Sequence, residues 1–530
     1  MVIIFLLAVS LFAGLGSIGL VGPDEPRYAS VAREMARTGD WLTPLLNGRP
    51  WFEKPALYYW SAAAAFDLLG VNERAARLPA ALAALAGALL LAWAARRFYG
   101  ASAALLALLL FPTSVGLFAF AHAASMDMLL AVALEAAMVA ALTVLFEPGN
   151  SMPSPGARRW RLALVGGAIG LGTLAKGPVA IVLAGGSVLL WAGVARRWRD
   201  GLLFLGPVPV AAFAVVALPW YVLCSLVNPG FVHTFLWFHN VQRFLTPVFE
   251  HAQPWWFFGP VLALGLAPWT PVLLATARDG AEVFRSGRAA RAPGVFVACW
   301  AAFPLLFFSF SQSKLPGYIL PALPPLVLLV ARTIDRADRA GDRLSRMALA
   351  LVGATWIALA ATAGHWLHRL PQTWDIAHRQ TILGLLVASG ILGIAVAGLA
   401  LAKRARPALL ASALWMGILV GAVCWLFLPQ LDPYLSARDA ARAAESVAGQ
   451  NAAIETYRLP RDWQYGLNYY FDRELGEWSP AEYGWRLVYT TPRNVSALAA
   501  GGRRVTRTAG LRGGLVLAQV APSGSDGSMF

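Results

Sequence analysis

The chain has 530 residues, of which 58% are hydrophobic, 12% aromatic and only 13% charged, with a mean hydropathy of +0.59. Soluble domains carry roughly a quarter of charged residues, so this composition excludes an ordinary globular enzyme and indicates a polytopic α-helical membrane protein. The formal net charge of +15 does not point to nucleic acid, because the basic residues form short clusters between apolar runs and not one patch.

The first apolar run, 2–21, reads as a membrane helix and not as a cleaved leader: no basic stretch precedes it and no clear small-residue cleavage site follows. Runs near the length that crosses hydrocarbon recur at 76–95, 101–121, 126–146, 160–175, 178–195, 202–223, 257–277, 294–310, 317–331, 346–364, 381–402 and 407–428. They predict about thirteen transmembrane helices, the pair at 160–175 and 178–195 being divided by Lys176 and Pro178. With a cytoplasmic start and strict alternation, the clusters Arg96-Arg97, Arg158 to Arg161, Arg196 to Arg199, Arg278 to Arg291, Arg332 to Arg346 and Lys403 to Arg406 all fall inside. The same alternation puts 22–75, 122–125, 224–256, 311–316, 365–380 and everything after about 429 outside.

The last hundred residues differ in kind. The amphipathic stretch "YLSARDAARAAESVAG" precedes the β-like runs "AAIETYRL", "WRLVYTTP", "RRVTRTA" and "GLVLAQVA", separated by turn residues. The predicted organisation is a membrane domain over 1–430, with external juxtamembrane helices at about 24–75 and 224–256, and a small soluble α/β domain over 431–530. Cys224, Cys299 and Cys424 lie in apolar segments without metal-ligand spacing and read as packing residues.

The external loops carry the chemistry. In "GPDEPRYASVAREM", Asp24 suits a helix N-cap, with Glu25 and Pro26 in the first turn. Tyr28, Val31, Ala32 and Met35 then recur on one face, and Arg27, Arg33, Glu34 and Arg37 on the other, which predicts a short helix on the membrane surface. Asp24 either only caps this helix or supplies a carboxylate to a site. Further along, "GRPWFEKPALYYW" wedges Glu53 and Lys54 between aromatics, where charge is costly to desolvate unless it binds something. The loop "FLWFHNVQRFLTPVFEHAQPWW" and the two residues ahead of it add His233, His239, Asn240, Arg243, Glu250 and His251. "SQSKLPGYIL" adds Lys314 and Tyr318. Several loops on one side thus each supply polar groups in aromatic surroundings, the pattern of a site assembled at the membrane interface. Asp127, in "ASMDMLLA", is either a helix-dipole partner or a site residue. Lys176 is either a buried ion-pair partner or a snorkelling lysine.

The block "PDEPRYASVAREMARTGDWLTPLLNGRPWFEKPALYYW", with "LAKGPVA", "HNVQRF" and "SKLPGYILPALPPL", resembles the lipid-linked-sugar glycosyltransferases of the GT-C class. Within that class it most resembles the bacterial aminoarabinose transferases that modify lipid A, relatives of the protein O-mannosyltransferases. The resemblance runs through most of residues 1–335. It implies a GT-C helix arrangement, an external active site, a polyprenyl-phosphate sugar donor and inversion at the anomeric carbon. The expected reaction moves 4-amino-4-deoxy-L-arabinose from undecaprenyl phosphate to lipid A phosphate on the periplasmic face of the bacterial inner membrane. One departure is His239-Asn240, where the aminoarabinose transferases tend to read Glu-His. The form here is similar to other members of the wider class, and leaves the sugar and the acceptor open.

A sugar leaving undecaprenyl phosphate deposits negative charge, which fixed cations in a poorly solvated site must meet. Lys54, Arg243, Lys314 and Arg27 are the candidates, with Tyr28 and Tyr318 as further donor contacts. The competing reading of these cations is pairing with lipid headgroups or carboxylates. Asp24 is the candidate catalytic group: a general base if the acceptor is a hydroxyl, an orienting or electrostatic group if it is a phosphate monoester. Glu25 serves the helix N-terminus or the site. Glu53 with His239, preferred over His233 and His251, is a candidate pair for a divalent ion such as zinc, although two ligands are fewer than zinc sites take. The expected partners are the lipid-linked donor, lipid A and membrane lipids, without nucleic acid, for a chain acting as a monomer.

A secondary transporter, the rival from another class, predicts charges near mid-membrane and two matching halves. Here the helix interiors are almost free of charge and no repeat is visible. A structural assembly protein leaves the clustered external carboxylates and cations without a task.

Overall fold

Ala and Leu dominate the apolar runs, so helix propensity and hydrocarbon length favour the same structure. The computed structural model describes residues 1–146, 154–242, 253–287, 292–340, 342–369, 376–448, 454–479, 486–500 and 503–522. Two units form. The first holds Met1–Ala13, Phe52–Tyr58 and Leu78–Ala422, the second Gly14–Trp51, Tyr59–Arg77 and Val423–Phe530.

Seven helices among the described residues are long and apolar enough to cross a membrane: Glu73–Tyr99, Asp127–Leu145, Trp198–Val227, Pro316–Arg339, Arg343–Ala361, Ile376–Leu401 and Ala405–Leu435. An eighth crossing results if Ala101–Leu110 and Val115–Ala121, bent by 63°, count as one. Pro112 lacks the N–H that a continuous helix needs there, and the Thr113 and Ser114 hydroxyls donate back to the Leu109 and Leu110 carbonyls at 2.6 and 2.8 Å. Val2–Phe12, Val179–Ala195 and Pro293–Ser309 are shorter apolar helices. The expected run 2–21 is helical only over Val2–Phe12 (α1), because Gly14 takes a φ of 71° that ends the helix. Chain order, hydropathy and these helices together make the protein a polytopic helical membrane protein.

In the first unit, small residues let helices approach closely, the packing that membranes favour. A Cβ on Gly353, in the Arg343–Ala361 helix, would meet the Gly393 carbonyl and come within 2.8 Å of the Ala397 nitrogen, both in Ile376–Leu401. Where larger residues meet, they are aromatic: Trp191 packs edge-on to Phe146 and Phe296, with ring centroids 5.8 and 5.6 Å apart.

In the second unit, β1 (Leu45–Leu46) pairs antiparallel with β2 (Arg49–Pro50), and strands β3 (Ile454–Thr456), β4 (Arg486–Thr490), β5 (Arg503–Gly510) and β6 (Val516–Pro522) form one sheet ordered β3-β4-β6-β5. The β3–β4 pair is parallel and the others antiparallel. The parallel pair needs a crossover, and the helix Arg461–Tyr470 lies in it. Alternation splits the sheet's side chains between two faces. Leu487, Tyr489, Leu515 and Leu517 pack with Ala437, Ala440, Ala444 and Leu467, while Val488, Ala518 and Val520 pack with Trp478 and Leu498.

Candidate functional site

In the second unit the opening motif folds as the helix α2, Asp24–Thr38. The N-cap is Pro23, not Asp24 as the sequence suggests, and no side-chain capping bond forms. Asp24 opens the helix and pairs instead with Arg27. Its side chain is 52% exposed, whereas that of Arg27 is 6% exposed. The buried guanidinium is compensated by that carboxylate and by the ring of Tyr28 at 5.8 Å, of Trp51 at 5.6 Å and of Tyr465 at 5.1 Å. Tyr28 is itself buried, its ring edge-on to Tyr59.

Glu25 has a different task. Its Oε2 accepts the Val21 N–H at 2.8 Å and an Arg77 Nη2–H at 2.7 Å. Arg77, buried, also donates to the carbonyls of Leu15 and Ile18, both at 2.8 Å, and Gly19 at 2.7 Å. A buried charge satisfied this completely is a structural clamp on the turn that joins the first helix to α2.

The helix Arg461–Tyr470 is tied to the same region. Arg33 donates to the Tyr469 carbonyl at 2.8 Å and pairs with Asp472 at 3.0 Å. The Leu20 N–H donates to the Tyr470 hydroxyl at 2.9 Å, and that hydroxyl donates to Glu73 at 2.9 Å. Burial, with Glu73 next, pushes the Tyr470 hydroxyl well above its ordinary range. Burial also raises Tyr469, to about 12, against the opposing charge of Arg33.

In the first unit Glu53 is buried and Lys54 partly buried, with Lys54 Nζ 3.5 Å from Glu53 Oε1. Asp127 opens the helix Asp127–Leu145 and pairs with Lys176, the last residue of Pro155–Lys176. Of the two readings of Lys176, ion pairing is the one the structure adopts. Its Nζ also lies 5.1 Å from the centre of the Tyr318 ring. Gly317 allows this approach, since a Cβ there would meet Phe120 at 2.8 Å and Asp127 Oδ1 at 3.1 Å. The glycine of "LAKGPVA" is explained as well: Gly177 has a φ of 90°, and a Cβ on it would lie 2.9 Å from Phe235. Asp127, Lys176 and Tyr318 therefore form one cluster.

Lys314 is buried and donates to the Ser311 and Gln253 carbonyls at 2.6 and 3.1 Å. His239 lies in the π-helical turn His233–Gln242, its ring 4.9 Å from Phe238. Arg243, Glu250 and His251 lie outside the described residues. Among the described residues no group of three or more His, Cys, Asp or Glu is placed to hold a metal ion. Sequence reasoning missed Trp51 and Tyr465 as partners of Arg27, and missed Arg77. A charge within the first turn of the apolar run 76–95 was the available signal for Arg77; Tyr465, in a distant segment, offered none.

A profile of the family described as Dolichyl-phosphate-mannose-protein mannosyltransferase matches residues 4–235. The chain is 31% identical over 412 residues to the undecaprenyl phosphate-alpha-4-amino-4-deoxy-L-arabinose arabinosyl transferase of Erwinia tasmaniensis, covering 76% of this chain and 72% of that relative. It is 34% identical over 315 residues to the protein of the same name from Edwardsiella ictaluri, covering 59% of this chain and 55% of the relative. The chain thus spans less than two thirds of the length of several curated relatives it matches. ArnT from Cupriavidus metallidurans, in a crystal structure bound to undecaprenyl phosphate, superposes with a TM-score of 0.78 at 24% identity, covering 98% of this chain and 97% of that one. That likeness establishes a shared membrane fold, of the GT-C class. With an identity above 30% sustained across most of both sequences in the Erwinia comparison, the chain belongs to the family of the undecaprenyl phosphate-alpha-4-amino-4-deoxy-L-arabinose arabinosyl transferases.

Proposed function

We propose that this chain transfers 4-amino-4-deoxy-L-arabinose from undecaprenyl phosphate to a phosphate of lipid A, with inversion, on the periplasmic face of the bacterial inner membrane. The observation that carries the reading is the similarity to the Erwinia tasmaniensis transferase across 76% of this chain. In the reaction an acceptor oxygen forms a bond to the anomeric carbon while the bond from that carbon to the donor phosphate oxygen breaks, releasing undecaprenyl phosphate. A phosphate monoester is already a nucleophile, so Asp24 is assigned to orient it and to stabilise positive charge developing on the sugar. Its 52% exposure, beside a glutamate committed to Arg77, supports that choice over Glu25. Lys54, Arg243 and Lys314 are assigned to the leaving phosphate and Arg27 to holding Asp24, with Tyr28 and Tyr318 as further donor contacts. Asp127 is assigned to keeping Lys176 in place. Glu53 and His239 are the candidate ligands for a divalent ion, although two ligands are fewer than a catalytic zinc takes.

The proposed topology has thirteen crossings with a cytoplasmic start, namely the seven long helices, the bent pair, the three shorter ones and the runs 160–175 and 257–277, and an external α/β domain from residue 431. A monomer suffices for it. The second reading is transfer of another polyprenyl-linked sugar to a protein or glycan hydroxyl, in which Asp24 is the general base. His239-Asn240 and the match to the mannosyltransferase profile favour it.

The test is polymyxin resistance with mass spectrometry of lipid A, in a Gram-negative host lacking its own transferase. With the parent chain, lipid A gains the aminoarabinose mass and resistance rises; with Asp24→Asn neither occurs. Unmodified lipid A despite confirmed membrane expression of the parent overturns the assignment.

A further inference from the structure

Arg27 is an unusual residue to bury beside an exposed carboxylate. One of its nitrogens bonds Asp24, and its guanidinium carbon lies within 6 Å of three ring centroids, the nearest at 5.1 Å being that of Tyr465. Tyr28 and Trp51 come from the same external segment as Asp24. Tyr465 comes from the far end of the chain, on the helix Arg461–Tyr470. That helix is held in register with α2 by Arg33, through the Tyr469 carbonyl and Asp472, and by the Tyr470 hydroxyl at the Leu20 N–H. A ring on a rigid, anchored helix sets where the guanidinium can lie, and the guanidinium sets where the Asp24 carboxylate points.

We propose that Tyr465 is a positioning residue for Asp24, acting through Arg27, so that the C-terminal α/β segment takes part in the transfer reaction. The inference rests on the proposed catalytic role of Asp24. A freely rotating Asp24 loses its orientation toward the acceptor and the sugar, which affects the chemical step more than donor binding. The ring face is what matters, since the Arg27 guanidinium lies over the Tyr465 ring.

The experiment compares the purified full-length parent with Tyr465→Leu, Tyr465→Phe and Asp24→Asn, using undecaprenyl-phosphate aminoarabinose as donor and lipid A as acceptor. Tyr465→Leu is expected to lower kcat about tenfold with the donor KM within about twofold, the scale of a desolvated cation–π contact. Tyr465→Phe is expected to restore kcat to within about twofold of the parent. Parent-like kcat in Tyr465→Leu, while Asp24→Asn is inactive, overturns the positioning role and leaves the proposed function standing. A parent without transfer, or an Asp24→Asn form as active as the parent, overturns the underlying reading instead. A thermal-unfolding cycle of Arg27→Gln, Tyr465→Leu and the double variant needs no activity. Shifts of the two single variants that sum to more than the shift of the double support the cage, and additive shifts overturn it.

Discussion

Asp24 and Glu25 share the first turn of α2, yet one side chain is half exposed and the other 13% exposed and held by Arg77. The difference is geometric: Glu25 points back to the turn where Arg77 gathers the carbonyls of Leu15, Ile18 and Gly19. Removing one member of a buried, hydrogen-bonded pair leaves an uncompensated charge, at about 3–5 kcal/mol. Arg77→Met is therefore expected to lower the thermal midpoint of the purified protein strongly, and the Glu25→Gln/Arg77→Met double variant to cost less than the sum of the singles. Equal additivity in the melting curves speaks against the clamp. That the motif carries two carboxylates is plain in the sequence. Their division of labour is not, because the partner of Glu25 is 52 residues away.

At the scale of elements, breaks in apolar helices sit where backbone chemistry demands them: Pro112 at the bend, Gly14 after the first helix, Gly177 after Lys176. A further boundary carries a pH dependence. Asp342 caps Arg343–Ala361, accepting from the Ser345 N–H at 3.0 Å and hydroxyl at 2.7 Å, and an N–H of Arg278 at 3.0 Å. The Ser345 hydroxyl first, then its N–H and Arg278, outweigh burial and hold the Asp342 carboxyl at about 2, below its usual 3.8. A carboxyl lowered on folding contributes stability that is complete above about 3.8 and lost as the pH falls through about 2. The gap in thermal midpoint between parent and Asp342→Asn is expected to be constant near neutral pH and to shrink across that acid window. A gap unchanged down to pH 2 contradicts the cap's charge. The cap itself, removed in Asp342→Ala, is worth about 1 kcal/mol.

For the whole molecule, the proposed orientation rests on the basic clusters and has a direct check. In a chain with its native cysteines replaced, Thr38→Cys is expected to react with a membrane-impermeant maleimide in intact spheroplasts, and Ser286→Cys only after lysis. The reverse pattern inverts the topology and with it the periplasmic assignment. The membrane class, the order of apolar runs, the basic clusters between them and the transferase-like motifs were all legible in the sequence, because composition, periodicity and contiguous motifs are local properties. The gathering of the second unit from three separate stretches of chain was not. That unit joins Gly14–Trp51, Tyr59–Arg77 and Val423–Phe530, through contacts such as Leu20 to Tyr470 and Gly19 to Asp432. Pairings between residues more than 400 positions apart leave no mark on local periodicity. So the sequence by itself determined what kind of protein this is, because composition and contiguous motifs are enough for that. Only the tertiary structure decided that Glu25 is bound to Arg77, that Asp24 is held by Arg27 and that Tyr465 reaches that arginine, because burial and ring contacts exist only once distant segments pack.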